Sequence, residues 1–359
     1  MRVFAIDTSC DETSAAIVDG RRVLSSVIYS QALLHEKWGG VMPSVAKRAH
    51  SERIDSVVER AFRKAKLAFG DVDAVAVTQG PGLAIALEVG IAKAKELSAF
   101  WGKPLVSVNH MEGHIYSNFV QNSKGNPPRE FVFPYLVLLV SGGHTELVLF
   151  RDHLDYEVIG RTVDDAAGEA LDKASKMLGF SYPGGPVIER LAEEAGNTDE
   201  YRFPRPLANR DTLNFSYSGL KTAFLYKLRE LDDTARAKAM RSLASSYQEA
   251  VFATLVSRTR LAVKKTGVAN ILLGGGVSVN RRLRVLFRRA AAEQGWTVQF
   301  PPFKYLNFDN AAMIGVMGCY KAERGLFADP AAIDRKPRMS LPAFITMPSD
   351  MKIMKQRDL

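Results

Sequence analysis

Apolar positions in this chain recur with two periods, and the switches between them mark out its elements. Residues 2–7 form an apolar run ended by Asp7, and a polar turn from Thr8 to Ser14 follows. Residues 15–18 read as a second strand closed by Asp19-Gly20, a good hairpin turn. Residues 23–29 read as a third strand, and 31–41 as a polar loop with Gly39-Gly40. Pro43 then opens a helix over 43–67, with Val45, Ile54, Val57, Val58, Ala61 and Phe62 on one stripe. Residues 72–77 are a strand that runs into Gln79-Gly80-Pro81-Gly82 and a helix over 84–101. A strand, a glycine turn and a helix form the unit that aims backbone N–H groups at an anion.

The second half echoes this plan. Residues 135–140 read as a strand, 141–145 as a polar turn and 146–150 as the returning strand. Further on, residues 270–273 are a strand that meets Gly274-Gly275-Gly276, and a helix follows Asn280. The spacings differ because residues 160–250 insert extra helices, including one or two over 236–266. A duplicated α/β fold with a ligand cleft between its halves accounts for the echo. The expected units are a first lobe over 1–130, a second over 131–330 and a basic surface tail over 331–359, with the helix near 309–325 a candidate to pack back onto the first lobe.

Composition adds a compartment and a partner class. The chain has 359 residues, enough for one large or two medium units. No run of about 18 apolar residues exists, so no membrane span is expected. The N-terminus enters a strand directly, without the pattern of a signal peptide. Cys10 and Cys319 are too few for a disulfide framework or a cysteine metal cage, and a cytoplasmic protein is expected. The net charge of +9 suggests an anionic partner such as nucleic acid, although the same charge also serves solubility. Arg281, Arg282, Arg284, Arg288 and Arg289 share one predicted helix, and Lys47, Arg48 and Arg53 another.

The densest chemistry lies at Asn109-His110-Met111-Glu112-Gly113-His114. Asn109 is a good N-cap, and a helix after it puts both imidazoles on one face, as a metal site on one helix requires. Two ordinary polar residues on a helix surface give the same pattern. A metallopeptidase places its glutamate beside the first histidine. Glu112 sits midway instead, roughly 200° around the helix from each histidine, so geometry disfavours a peptidase. Asp165, Glu169 and Asp172 recur at four and three residues, on one helical face. They need a ligand, a metal or basic neighbours unless the face is simply solvated. His144 is a further cleft candidate, whereas His35, His50 and His153 read as surface or loop residues.

Nine motifs in order make the chain resemble the bacterial tRNA N6-adenosine threonylcarbamoyltransferases. They are Asp7-Thr-Ser-Cys-Asp-Glu-Thr13, Gln79-Gly-Pro-Gly-Leu83, Asn109-His-Met-Glu-Gly-His114, Leu139-Val-Ser-Gly-Gly-His-Thr145, Asp164-Asp-Ala-Ala-Gly-Glu-Ala-Leu-Asp-Lys173, Tyr182-Pro-Gly-Gly-Pro186, Phe215-Ser-Tyr-Ser-Gly-Leu-Lys221, Gly274-Gly-Gly-Val-Ser-Val-Asn280 and Asp309-Asn310. The resemblance implies the actin/Hsp70/sugar-kinase fold, two α/β lobes around a nucleotide cleft. It implies transfer of threonylcarbamoyl from threonylcarbamoyl-AMP to N6 of adenosine 37, in tRNAs reading codons that begin with A. It also implies one divalent metal, Fe2+ in preference to Zn2+, held by His110, His114 and Asp309.

The implied nucleotide contacts are Leu139, Val140, Ser141, Gly142, Gly143, Asp172, Gly185 and Asn280, with Glu189 as a further ribose contact. In that architecture Asp11 and Glu12 face the cleft and can handle the amine proton, although capping their own turn is an alternative role. Asp309 would otherwise cap the helix expected over 310–320. The implied partners are tRNA, a shorter inactive paralogue of the same fold and a small P-loop ATPase. Asp7, Ile85 and Phe308 depart from the family pattern, where Glu, a small residue and Thr are usual. An ATP-dependent kinase or ATPase of the same fold is the alternative function, and it leaves His110 and His114 idle.

Overall fold

The computed structural model describes residues 1–341. The first lobe runs β1 (Arg2–Asp7), β2 (Glu12–Asp19), β3 (Arg22–Ser30), α1 (Ala32–His35), α2 (Pro43–Ala65), β4 (Ala74–Gly80), α3 (Ala84–Trp101), β5 (Leu105–Asn109) and α4 (His110–Tyr116). The second begins with β6 (Tyr135–Val140), β7 (Thr145–Asp152), β8 (Asp155–Arg161), α5 (Ala167–Met177), α6 (Gly184–Glu194), α7 (Ser218–Glu230) and α8 (Asp233–Thr266). It continues through β9 (Asn270–Gly274), α9 (Arg281–Gln294), β10 (Thr297–Gln299) and α10 (Ala311–Ala322).

The echo seen in the sequence is a true repeat of topology. The sheet orders are β3-β2-β1-β4-β5 and β8-β7-β6-β9-β10. In each, the first three strands in sequence are antiparallel, and the later two add in parallel on the other side. Strand β8 had no counterpart among the expected elements, and β2 begins at Glu12 rather than at 15. The segment 31–41 is not all loop: α1 and a short 3-10 turn, Glu36–Trp38, lie within it.

Both faces of each sheet are covered, and the strands read accordingly. Val3 and Ala5 of β1, and Tyr135, Val137 and Leu139 of β6, pack into a shared core with α4 and α10. Phe4 and Ile6 turn the other way, toward α2 and α3. Leu136, Leu138 and Val140 turn toward the helices of the second lobe. Each Val, Leu, Ile or Phe among these, fully removed from water, stabilises the fold by roughly 1.5–3 kcal/mol. The shared core fixes the two lobes around α4 and α10, the two elements that bear on the site.

The chain returns to the first lobe at its end. Helix α10 packs on β1, β2, β4 and β5. Its Gly315 and Gly318 allow this, since a Cβ there would press on Val18 and Ala76. Residues 331–341 run along the surface of the first lobe, mostly exposed, but are anchored to it. Ile333 is buried in the first lobe's outer core, and Lys336 N donates to Gln79 O at 2.8 Å. The rest of the expected tail, 342–359, lies outside the described residues.

Candidate functional site

Strand β5 ends at Asn109, whose side chain accepts from Met111 N at 2.8 Å and opens α4. The next residue is His110, and His114 follows one turn later. Their rings meet edge to face with centroids 4.7 Å apart. Asp309 arrives from the far end of the chain. Its Oδ1 lies 3.1 Å from His110 Nε2 and 3.4 Å from His114 Nε2. One ligand atom from each of the three residues falls within 4.8 Å of the others. Asp309 is free for this because Asn310 takes the capping role, accepting from Met313 N at 3.0 Å.

The group fits a divalent cation. Both Nδ1 atoms, His114 Nε2 and Asp7 Oδ2 are buried without a hydrogen-bond partner, and native structures rarely leave buried polar atoms so. Burial alone would strip the proton from His110, but the carboxylates of Asp309 and Asp7 outweigh it and raise the imidazole to about 9. Burial also works against the Asp309 charge, yet the two histidines hold its carboxyl far below the usual range. The field that draws a proton onto His110 is the field that retains a cation. Two imidazoles and one carboxylate leave coordination positions open, as catalytic zinc and non-haem iron sites do.

Asp7 was not expected to have a role. Its Oδ2 lies 3.7 Å from His110 Nδ1, the place of a residue that orients a metal-binding imidazole. The signal was a carboxylate ending a fully buried apolar strand. Burial, and then the charges of His110 and His114, push His144 down to about 4. It is therefore a neutral neighbour of the pair. Glu112 is committed elsewhere: its Oε2 accepts from Asn109 N at 3.3 Å and pairs with Lys321 at 2.7 Å. Glu112 is therefore not available as the base of a peptidase helix.

The loop Ser141-Gly142-Gly143-His144 joins β6 to β7, and its His144 lies near enough to feel the charges of His110, His114 and Asp309. It closes on itself, with Ser141 N donating to His144 O at 2.9 Å and His144 N to Ser141 Oγ at 3.1 Å. Gly142 and Gly143 are exposed, and a Cβ on either would meet nothing within 4 Å. Leu139 and Val140 lead into the loop as buried strand residues. Asp172 Oδ1 accepts from Gly184 N at 2.8 Å and Gly185 N at 3.0 Å, and Gly185 faces open space. Asn280 and Glu189 serve the frame. Asn280 caps α9 through Leu283 N and donates to Gln248, while Glu189 accepts from Arg281 N at 2.7 Å.

Asp11 and Glu12 approach from the first lobe. Asp11 is buried in the turn, and Glu12 opens β2 with Ser30 Oγ 3.3 Å from its Oε1. Burial, then Asp11 and Asp309, raise the Glu12 carboxyl well above its ordinary value. Burial, then Asp11, Cys10 and Asp172, push the Tyr182 phenol up. Tyr182 thus lies where the acidic groups of both lobes face each other, and its place next to Pro183 gave no sign of that. The expected acidic helix face is resolved by bases: Lys173 bridges Asp165 and Glu169, Lys221 also holds Asp165, and Asp165 precedes α5.

Three further expectations change. The turn Gln79–Gly82 does not offer its N–H groups to an anion: Gly82 N donates to Pro337 O at 3.2 Å and Leu83 N to Ser9 O at 2.8 Å. His35 and His50 are not surface groups, whereas His153 does lie in the turn between β7 and β8. His35 and His50 are fully buried, His50 Nδ1 lies 2.8 Å from Thr13 Oγ1, and His153 Nδ1 lies 2.7 Å from Tyr116 OH. The arginines of α9 are largely spent on the fold, since Arg282 holds Glu249, Arg284 reaches Asn307 and Arg289 holds Glu293.

Among the described residues no helix is long and apolar enough to cross a membrane. The sequence pattern described as tRNA N6-adenosine threonylcarbamoyltransferase matches residues 22–316. A protein of that name from Kosmotoga olearia is 45% identical over 341 residues, covering 95% of this chain and 99% of its own. One from Bacillus subtilis is 46% identical over 328 residues, covering 91% and 92%. Among solved structures, full-length HypF in its phosphate- and nucleotide-bound form aligns with a TM-score of 0.57 at 14% identity, over 91% of this chain and 47% of that one. Component A of Acidaminococcus fermentans (R)-2-hydroxyglutaryl-CoA dehydratase aligns at 0.51 and 12% identity, over 90% and 99%. These two likenesses establish the two-lobed actin/Hsp70/sugar-kinase type of fold. The sequence relatives establish more: this chain belongs to the tRNA N6-adenosine threonylcarbamoyltransferase family.

Proposed function

We propose that this chain transfers the threonylcarbamoyl group of threonylcarbamoyl-AMP to N6 of adenosine 37, in tRNAs reading codons that begin with A. The observation that supports it most is one cleft holding two complementary parts. One is the group His110, His114 and Asp309, and the other is the open Ser141–Gly143 loop.

An exocyclic adenine amine is a poor nucleophile, so the acyl donor must be activated. A mixed anhydride with AMP provides the leaving group. The backbone of Ser141–Gly143 receives the phosphate, where no side chain obstructs it. Asp172 spends Oδ1 on the two glycine N–H groups and presents Oδ2 to a ribose hydroxyl. Gly185 leaves room for the adenine plane, and Asn280 and Glu189 hold the α9 end of that pocket. N6 attacks the threonylcarbamoyl carbonyl carbon, the carbon–oxygen bond of the anhydride breaks, and AMP leaves. Asp11 or Glu12 accepts the proton lost from N6. His110, His114 and Asp309 would hold an ion, Fe2+ in preference to Zn2+, whose contribution is Lewis-acid polarisation of the donor. A cytoplasmic setting, a shorter inactive paralogue and a small P-loop ATPase belong to the same reading.

The test supplies purified chain and its helper proteins with labelled threonylcarbamoyl-AMP and tRNA, with metal analysis of the same sample. Label on N6 of the tRNA adenosine is the expected result. Steady phosphate release from ATP without label transfer would instead favour the kinase or ATPase reading.

A further inference from the structure

Glu112 and Lys321 form the most deeply buried lysine–carboxylate pair among the described residues, and nothing in the transfer chemistry uses it. Glu112 is fully buried and Lys321 is 8% exposed in its side chain. Buried charges persist only when paired and hydrogen-bonded, and such pairs serve better to fix one arrangement than to add stability. The position of this pair shows what it fixes.

Glu112 lies on α4 between His110 and His114, and points away from both. Its Oε2 accepts from Asn109 N at 3.3 Å and from Lys321 Nζ at 2.7 Å. Lys321 comes from the last turn of α10, the helix that begins directly after Asp309, and its Nζ also donates to Ser107 O of β5 at 3.2 Å. The pair therefore joins the strand before the histidines, the histidine helix and the helix behind Asp309. A second contact lies beside it. A Cβ on Gly113 would stand 2.9 Å from Ile314 Cδ1 and 3.1 Å from Met313 Cγ, so the bare backbone of α4 packs directly on these two α10 side chains. A slip of one residue along α10 would move Asp309 by about 1.5 Å against the histidines. A shift of that size takes a ligand out of bonding range of a metal.

We infer that the Glu112–Lys321 pair is a positioning device. It sets the register of α10 against α4 and so the spacing of Asp309 from His110 and His114. The inference rests on the metal reading above, and its test separates the two.

The test measures Zn2+ affinity of the metal-free full chain by competition with a chromophoric chelator, at a temperature where circular dichroism shows each variant folded. The variants are Lys321→Met, Lys321→Arg, and Glu112→Gln with Lys321→Met together. His110→Ala is the control. Lys321→Met is expected to weaken binding about tenfold or more. Lys321→Arg keeps the charge and the fold and is expected to fall between it and the wild type. The double variant should recover melting temperature relative to Lys321→Met without recovering affinity, because the buried charge is gone but the register is still unset. Wild-type affinity in folded Lys321→Met, or in Lys321→Arg if Lys321→Met does not fold, overturns the inference and leaves the metal site standing. Full recovery of affinity in the double variant also overturns it. A wild-type chain that binds no Zn2+, or His110→Ala that binds as tightly, overturns the metal reading itself and the inference with it.

Discussion

The two lobes share one topology, yet their cleft-facing turns have opposite characters. In the first lobe the turn after β1 is clamped from all sides. Thr8 Oγ1 donates to Ala86 O, Asp11 O accepts from Gln31 N, and His50 Nε2 lies 3.0 Å from Cys10 O. The glycine turn after β4 is filled by the chain's own residues 336–340. In the second lobe the matching turn after β6 closes on itself, is held from outside through Gly168 N donating to Ser141 O at 3.3 Å, and exposes two glycines. A duplicated unit has thus been divided between two tasks. On the proposed reading the clamped, acidic turn holds carboxylates near a cation site, and the turn with two bare glycines receives an anion. Backbone N–H groups bind phosphate only where nothing else has taken them, and the N–H groups that follow β4 are already bonded to Pro337 O and Ser9 O.

The sharpest way to break this comparison is to exchange openness for bulk. Gly142→Val should weaken binding of a non-hydrolysable adenylate analogue on the order of a hundredfold, about 2.7 kcal/mol, while the melting temperature barely moves. Calorimetry reads it, and unchanged affinity would put the ligand elsewhere. The same kind of change in the closed lobe should act on stability. A Cβ at Gly82 would run into Ser9 O, a backbone atom that cannot yield, so Gly82→Ala should cost about 1–3 kcal/mol in denaturant titration. Its adenylate affinity should stay that of the wild type. Loss of affinity without loss of stability would reverse the assignment of the two turns.

A smaller effect tests the acidic side. Burial, then the charges of Asp11 and Asp309, raise the folded pKa of Glu12 above its unfolded value of about 4.3. Its contribution is fully present below that value and is lost as pH rises through the folded pKa. Glutamine has no charge to bury. The melting temperature of Glu12→Gln should therefore gain on the wild type as pH rises from about 4.3 upward, and a constant gap would contradict the buried setting. The smallest effect concerns charge. tRNA binding should weaken with salt along a log–log slope of a few phosphate contacts. That slope should be gentler than the α9 arginines alone suggest, because several are already paired. A flat line would leave the net charge to solubility.

What the sequence made legible was whatever is local. The helix 84–101 shows its start through the Gly80-Pro81-Gly82 turn before it, and α4 through Asn109 with its i, i+4 histidines. Asp309 was reachable only by resemblance, since nothing local ties it to residues nearly 200 positions earlier. The cap at Asn310 was missed because Asp and Asn serve equally well as caps and stand side by side. The buried roles of His35 and His50 were missed for a related reason. His50 sits on an amphipathic helix, and its partners Cys10 and Thr13 lie some 40 positions away. Residues 331–341 carry no period at all, because they dock through backbone hydrogen bonds rather than a stripe of side chains.

The central claim is that His110, His114 and Asp309 are one metal-binding unit required for transfer, and Asp309→Asn tests it most directly. Asn310 keeps the cap of α10, so the variant should fold with a nearly unchanged melting temperature. Elemental analysis should find the metal lost or greatly reduced, and threonylcarbamoyl transfer to tRNA should fall by a factor on the order of a hundred or more. Adenylate binding through the Ser141–Gly143 backbone should survive in part. Full metal content with full transfer in Asp309→Asn would contradict the account.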